Sequence, residues 1–232
     1  MAEQVWSRRP AADEDLALRL PGQGMRARAQ EIHDALAARR TGLRRKQQEP
    51  FPEEWPWTRA AEGEEFVGAV LGGLHTSGWR VLHGVPVDGE GGAIDHLLIG
   101  PGGVFSIDTK ARAGAQIWVG SRVIKVDGDE KEYLWIARHQ ARHATKVLRF
   151  ATGLPVEVKP TLIFVGGPEA TVVRAGRPRE VLVLTEFDLP RAFAELPPQH
   201  SPQEVSAIFE RARRGGTWFP KVAAVELPPP QV

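Results

Sequence analysis

Asp95, Asp108 and Lys110 are the residues whose types and spacing most directly indicate chemistry. They lie on two apolar segments separated by the Gly-Pro-Gly-Gly sequence at 100–103. Two apolar segments around such a turn predict a β-hairpin. Carboxylate oxygens are the ligands that Mg²⁺ and Mn²⁺ prefer in proteins. The three residues therefore indicate a divalent metal site that is assisted by a lysine.

The predicted hairpin places the two carboxylates opposite each other. In the register that a two-residue turn imposes, Asp95 faces Asp108, and Lys110 lies on the same face of the strand as Asp108. The same register pairs Ile99 with Val104 and Leu97 with Ser106. Directly opposed Cβ atoms lie about 5 Å apart, and like charges at that distance destabilise a sheet. The pair therefore requires a cation, unless Lys110, His96 or backbone donors satisfy both carboxylates in a purely structural role.

A helix is predicted immediately before the hairpin. Apolar residues recur at helical spacing from Glu62 to Leu74, and Glu64 falls on their inward face. The alternative interpretation is that Glu64 is a first-turn acid that favours the helix dipole.

A second helix, predicted from Tyr133 to Thr152, carries two stripes of different character. One is apolar and would pack on the domain. The other is basic and consists of Arg138, Arg142, Lys146 and Arg149. Because the helix has no acidic residue and like charges four apart repel each other, this stripe favours an anionic partner. That partner is either a phosphate backbone or acidic side chains elsewhere in the fold.

The residues before the hairpin and its helix differ in composition. Residues 1–20 show no sustained hydrophobic periodicity, which predicts a loose arm. Residues 25–46 predict a basic helix that either tracks phosphates or docks on the domain through Ile32, Leu36 and Leu43. Its basic residues are Arg26, Arg28, Arg39, Arg40, Arg44, Arg45 and Lys46. Residues 49–57 contain three prolines, which predicts a linker. We therefore divide the chain into an extension at 1–57, a core at 58–185, and C-terminal helices with a Pro-rich tail at 186–232.

Composition excludes several classes of protein. The 232 residues include no cysteine, which rules out disulfides, thiolate metal sites and a cysteine nucleophile. No apolar run approaches the roughly 18 residues of a membrane span, and the N-terminal residues lack the apolar centre of a secretory signal. These features predict a cytoplasmic protein without a membrane partner. The net charge of +1 does not by itself indicate nucleic acid.

The order of a helix acid, a strand aspartate, a hairpin and an Asp-x-Lys sequence resembles the nuclease-related domain (NERD) family. This family is a branch of the PD-(D/E)XK nuclease superfamily. The matching segments are 61–65, 94–101 and 103–110, with Gly114 downstream. The resemblance is strong over 60–115, weaker to about 165, and absent from the first 50 residues. It implies an α/β (α+β mixed) fold of the restriction-endonuclease type, in which helices flank a mixed central sheet of four to five strands.

The resemblance also implies roles for individual residues. Asp95 and Asp108 would be metal ligands, and Glu64 would support the metal directly or through water. Lys110 would orient or activate the attacking water, and Gln140 matches a helix glutamine often found after this core. Asp108 stands where the family more often has Glu, so its side chain is one methylene shorter.

The activity that the resemblance implies is hydrolysis of DNA phosphodiester bonds with Mg²⁺ or Mn²⁺, in DNA processing or repair. The expected partner is nucleic acid, DNA in preference to RNA, and a homodimer is compatible with the sequence. The shorter side chain of Asp108 favours an alternative, a nucleic-acid-binding or interaction module that has kept the fold and lost turnover.

Overall fold

The computed structural model describes residues 11–39, 52–87 and 92–219. Six α-helices and nine strands lie within these ranges. The helices are α1 (Gln23–Arg39), α2 (Trp55–Gly72), α3 (Tyr133–Thr152), α4 (Leu189–Ala192), α5 (Pro202–Ala212) and α6 (Gly215–Trp218). Short 3-10 helices occur at Leu16–Leu18, Pro52–Glu54 and Gly73–Ser77.

The strands form two mixed sheets. They are β1 (Arg80–Pro86), β2 (Ala93–Gly100), β3 (Gly103–Ala111), β4 (Gln116–Val119), β5 (Ile124–Val126), β6 (Asp129–Lys131), β7 (Val158–Val165), β8 (Thr171–Arg174) and β9 (Leu182–Thr185). The central sheet has the order β1-β2-β3-β7-β9, and the smaller sheet has the order β6-β5-β4-β8. In the central sheet β1, β2 and β3 are antiparallel, whereas β3, β7 and β9 run parallel. The predicted mixed α/β fold with a central sheet of four to five strands is confirmed, and the sheet has five strands.

The central sheet is buried because helices cover both of its faces. Along β2 and β3, side chains alternate between two hydrophobic clusters, as the pleat of a strand requires. Leu97 and Val104 pack toward α3 and α5, whereas Leu98 and Phe105 pack toward α2. A strand that is covered on both faces has a nearly continuous apolar sequence, which explains the apolar runs of the hairpin.

The hairpin has the register that the sequence predicts. Ile99 pairs with Val104, Leu97 pairs with Ser106, and Gly100 and Gly103 close the turn. The turn therefore fixes which residues reach the far end of the hairpin. The pairing of β2 with β3 ends at His96 and Ile107, so the predicted pair of Asp95 with Asp108 is not part of the ladder.

The predicted linker at 49–57 is wrong in its C-terminal part. A 3-10 helix occupies Pro52–Glu54, and α2 already begins at Trp55. Pro56 lies in the first turn of α2, where the N–H that proline lacks has no helical partner in any case. Proline at this position is therefore compatible with the helix that it was expected to exclude. The domain boundaries at 57 and 185 stay predictions.

The predicted loose arm is also wrong for the described residues 11–20. Leu16 is fully buried in the core, and its N–H donates to the Arg213 carbonyl over 2.7 Å. Asp15 forms an ion pair with the Arg213 guanidinium. Residues 1–10, and the predicted helix beyond Arg39, lie outside the described residues. Within the described part of the chain, no helix is both long and apolar enough to cross a membrane, and the cytoplasmic location stays a prediction.

Candidate active site

The predicted site residues of the hairpin lie at one edge of the central sheet. Asp95 is near the start of β2, and Asp108 and Lys110 are near the end of β3. Because the two strands are antiparallel, these positions are adjacent. Beyond the last paired residues, the Asp95 carboxylate accepts the backbone N–H of Thr109 over 2.6 Å. This hydrogen bond attaches the start of β2 to the end of β3.

Lys110 neutralises one oxygen of Asp108. Its Nζ lies 2.9 Å from Asp108 Oδ1, and the two side chains are only 13% and 7% exposed. The ammonium group also lies 4.9 Å from the ring centroid of Tyr133, where the ring face attracts a cation. The other oxygen, Asp108 Oδ2, is buried, and no group of the described residues donates a hydrogen bond to it. A buried carboxylate oxygen without a donor is costly, so this atom is the natural position for a cation or a water.

Glu64 reaches the site from α2. Its side chain is 8% exposed, and its Oε2 accepts the backbone N–H of Gly22 over 3.2 Å. The pKa of Glu64 is raised to about 7, chiefly by burial and also by the negative charge of Asp108, while the Gly22 N–H and Lys110 act in the opposite direction. The interpretation of Glu64 as a first-turn acid is wrong, because α2 begins nine residues earlier, at Trp55.

Asp95 belongs to the same electrostatic cluster. Burial raises its pKa well above the usual value, and the charges of Glu64 and Asp108 act in the same direction. Lys110 and the Thr109 N–H oppose this shift. The site thus contains three carboxylates and one ammonium group, an excess of negative charge in a poorly hydrated position. Such a cluster attracts a cation.

Gln140 anchors α3 to this edge of the sheet. Its Nε2 donates to the carbonyl of Ala93 over 2.9 Å, two residues before Asp95. Its Oε1 is buried and accepts no hydrogen bond from the described residues. Gln140 therefore positions the strand that carries Asp95, and it presents a second donor-free oxygen close to the cluster.

Two groups near the carboxylates were missed by sequence reasoning. Tyr133 lies under Lys110 and receives a 2.5 Å hydrogen bond from the Arg112 guanidinium. Tyr133 lies seven residues before Gln140, which is two helical turns along the same face of α3. This spacing could have predicted that Tyr133 lies near the site. The Gly22 N–H has no such signal, because it lies 42 residues before Glu64.

A family model for the nuclease-related domain matches residues 59–165. By this match, residues 59–165 are similar to the NERD family, and we refer to the segment below as the NERD domain. The matched segment runs from α2 to the end of β7, and so contains Glu64, Asp95, Asp108, Lys110 and Gln140. It covers somewhat less than half of the chain. No curated protein and no solved structure matches the chain.

The donor set of the NERD domain fits a hard divalent cation. In the described ranges 11–39, 52–87 and 92–219, no three His, Cys, Asp or Glu side chains converge closely enough to hold a metal ion by themselves. Mg²⁺, however, keeps several waters and binds proteins through one or two carboxylates. Asp95 and Asp108 supply two carboxylates, and Asp108 Oδ2 still has an unused lone pair. The residues present therefore fit Mg²⁺ or Mn²⁺ with a partly aqueous coordination shell.

The basic stripe of α3 faces away from the carboxylates. At 100° per residue, Arg138, Arg142, Lys146 and Arg149 fall on the side of the helix opposite Gln140. Arg138 donates to the Arg179 carbonyl over 3.1 Å, and Arg149 donates to the Val156 carbonyl over 2.6 Å. Arg142 and Lys146 are exposed. None of the four forms an ion pair with an acidic side chain of the described residues, so acids within that part of the fold do not account for the stripe.

The basic helix of the extension docks on the NERD domain. Arg26 donates two hydrogen bonds to the Glu65 carboxylate, from Nε to Oε1 over 2.7 Å and from Nη2 to Oε2 over 2.8 Å. Arg28 pairs with Glu31 at 3.0 Å. The Arg28–Glu31 pair lies within α1, whereas the Arg26–Glu65 contact joins α1 to α2 and favours the docking interpretation for the described part of α1. Residues 40–46, with Leu43 and most of the predicted positive charge, lie outside the described residues.

Proposed function

We propose that the NERD domain of this chain hydrolyses phosphodiester bonds of DNA with the help of Mg²⁺ or Mn²⁺. The observation that carries the proposal is the cluster of Glu64, Asp95 and Asp108 around Lys110, with a buried Asp108 oxygen that has no donor. The charges of these carboxylates disfavour one another's ionised forms, and a divalent cation bound at Asp95 and Asp108 would offset that cost. The activity would serve DNA processing or repair.

Asp95 and Asp108 would hold the ion, and Glu64 would contact it directly or through a water. When bound, a divalent cation lowers the pKa of its water and neutralises charge that develops on the phosphate oxygens. Thr109 fixes the orientation of Asp95 through its backbone N–H. Gln140 holds the strand of Asp95 in place through the Ala93 carbonyl.

Lys110 would orient the attacking water. In hydrolysis the water oxygen forms a bond to phosphorus while the bond from phosphorus to the leaving oxygen breaks. The ammonium group is held between Asp108 Oδ1 at 2.9 Å and the ring of Tyr133. A side chain restrained on two sides keeps its hydrogen-bond donors in a fixed direction, which is the basis of catalysis by positioning.

The basic stripe of α3 would contact the phosphate backbone of DNA away from the cleaved bond. Arg142 and Lys146 project to solvent from the face opposite Gln140, so they cannot reach a phosphate at the carboxylates. They would instead hold flanking nucleotides, and the affinity would fall steeply as the salt concentration rises.

A second candidate is a NERD domain that binds nucleic acid without cleaving it. Two observations favour it. Lys110 already compensates one Asp108 oxygen at 2.9 Å, and no three metal-ligating side chains converge among the described residues. In this case salt-sensitive binding would occur without turnover in Mg²⁺ or Mn²⁺.

A cleavage assay with the full chain tests the proposal. The substrates are labelled duplex, single-stranded and branched DNA, and RNA, each in Mg²⁺, in Mn²⁺ and in EDTA. Asp108→Asn and Lys110→Ala should each lower the rate by about 100-fold or more. Asp129→Asn is the matched control, because the Asp129 side chain is 80% exposed on β6, and its rate should be unchanged. Cleavage that persists in Asp108→Asn would contradict the proposal, and binding without cleavage by the natural sequence would favour the second candidate.

A further inference from the structure

The outer surface of α3 carries a row of five exposed side chains that the proposed catalytic site does not use. They are spaced three or four residues apart, and we name them the α3 strip: Trp135, His139, Arg142, Lys146 and Phe150. We propose that the α3 strip binds single-stranded DNA and that one base stacks on Trp135. The proposal deepens the proposed function and rests on it, because it names the form of DNA that would enter the site.

The spacing places the five side chains in one line. With 100° and 1.5 Å per residue, they fall within an arc of about 80° and extend over about 22 Å along the helix. Trp135 and Phe150 mark the two ends, and the cations lie between them. A continuous line of this length suits an extended polymer better than a compact ligand.

The aromatic residues of the α3 strip are unusually exposed. Trp135 is 59% exposed and Phe150 is 85% exposed, although both side chains lose favourable burial in such positions. The Trp135 ring stacks on the His139 ring, with centroids 5.4 Å apart and planes inclined by 15°. His139 thereby supports one face of the indole and fixes its orientation. The Trp135 side chain is thus held as a flat apolar platform toward solvent.

The charge of the α3 strip is complementary to a phosphate backbone. Arg142 and Lys146 are exposed between the two aromatic ends, and α3 contains no acidic residue. Cations that follow a backbone, combined with aromatic rings that stack on bases, are the pattern of single-strand binding. A duplex does not offer base faces for stacking, since its bases are stacked on each other. The combination therefore selects a single strand.

The α3 strip begins at the end of α3 that lies beside the carboxylates. Trp135 follows Tyr133 by two residues, and the ring of Tyr133 lies 4.9 Å from Lys110 Nζ. An α-helix is about 10–12 Å across with its side chains. A strand that stacks on Trp135 would therefore need to cross only the end of one helix to reach the site. The matching substrate is DNA with a single-stranded segment next to the bond to be cleaved.

Binding in EDTA tests the inference without any cleavage. We would measure the fluorescence anisotropy of a labelled oligothymidylate, of a duplex of equal length, and of oligouridylate with the full chain. Trp135→Ala should weaken binding of the single strand about tenfold and leave duplex binding unchanged, and Trp135→Phe should restore most of the affinity. The matched control is Trp118→Ala, which removes a 38% exposed tryptophan from β4 and should leave the affinity for the single strand unchanged.

A second pair of variants tests the charges. Lys146→Ala should lower the slope of log affinity against log salt by about one, whereas Lys125→Ala, on β5, should not change it. Three results would each overturn the inference. Trp135→Ala could lose equal affinity for the single strand and the duplex, it could lose affinity for neither, or the natural sequence could bind oligouridylate more tightly than oligothymidylate. If Trp135→Ala weakens single-strand binding but the natural sequence never cleaves DNA, the inference stands and the nuclease proposal fails. If cleavage depends on Asp108 while Trp135→Ala binds the single strand normally, the nuclease proposal stands and the inference fails.

Discussion

Replacing Glu64 by Gln should stabilise the protein at alkaline pH when no divalent metal is present. The carboxyl group of Glu64 is 8% exposed, and burial raises its pKa to about 7 from an ordinary value of 4.5. A carboxyl group whose folded-state pKa is raised stabilises the fold fully below its unfolded pKa. That contribution is lost as the pH rises through the folded pKa. The amide of the Glu64→Gln variant would be neutral at every pH and would avoid this loss.

The size of the effect follows from the two pKa values. The difference between 4.5 and about 7, at about 1.4 kcal/mol for each pH unit, amounts to about 3 kcal/mol above pH 8. For a chain of this length, that corresponds to roughly 6–12 °C in Tm. The amide oxygen of the variant can still accept the Gly22 N–H, so no other interaction need be lost.

Urea unfolding followed by tryptophan fluorescence, in EDTA between pH 5 and pH 8.5, measures this difference. The free energy of unfolding of Glu64→Gln should exceed that of the natural sequence only modestly at pH 5, and the difference should grow up to about pH 7 and then level off. Glu65→Gln is the matched control with the opposite sign. The hydrogen-bonded pair with Arg26 lowers the pKa of Glu65, so its stabilisation is present above about pH 4.5 and is lost in acid. The reasoning would be refuted if the difference in unfolding free energy between Glu64→Gln and the natural sequence did not change with pH. It would also be refuted if the variant were the less stable of the two at pH 8.5.

Three further predictions concern packing and the metal. Gly100→Ala would place a Cβ 2.2 Å from the ring of Trp79, and thermal unfolding should show a loss of about 3 kcal/mol from overpacking. Gly22→Ala combines a φ of +72° with a Cβ only 2.7 Å from the Ala61 carbonyl oxygen, and chemical denaturation should show a loss of about 1–3 kcal/mol. Mg²⁺ should raise the Tm of the natural sequence at pH 8 and raise that of Asp108→Asn much less, and equal shifts in a calorimetric scan would count against a metal site at Asp108.

The hairpin was predictable because its information is local. Three glycines and a proline determine the turn, and a tight turn determines which residues of the two strands pair. The pairing of Ile99 with Val104 follows from this, and so does the arrival of Asp95 and Asp108 at one edge. The end of α3 was equally local, because Gly153 takes a left-handed φ of +71° directly after Thr152.

The contacts that complete the site could not be predicted in this way. Gly22 reaches Glu64 from 42 residues away, and no periodicity connects two such positions. Tyr133 meets Lys110 because α3 packs across β3, and that packing depends on the whole core. The direction of the basic stripe was predictable from helical spacing, but its relation to the carboxylates required the position of Gln140 on the sheet.

Local rules also failed where a residue has two permitted environments. Proline excludes the interior of a helix but is favoured in its first turn, so Pro56 was compatible with both interpretations. Leu16 lies in a segment without period, yet one leucine is enough to fill a gap in the core. Its N–H donates to the carbonyl of Arg213, which lies almost at the other end of the described chain.

The parallel pairing of β9 with β7 has a consequence for how the NERD domain can be separated from its chain. Residues 59–165 end with β7, so a fragment cut at those limits would lose β9, which lies at 182–185. The β7 strand would then become an edge strand, with unpaired backbone groups next to buried residues such as Leu162 and Phe164. Long apolar edges of this kind pair with other chains and aggregate. A fragment that is intended to fold should therefore retain β9, together with the segment around Leu16.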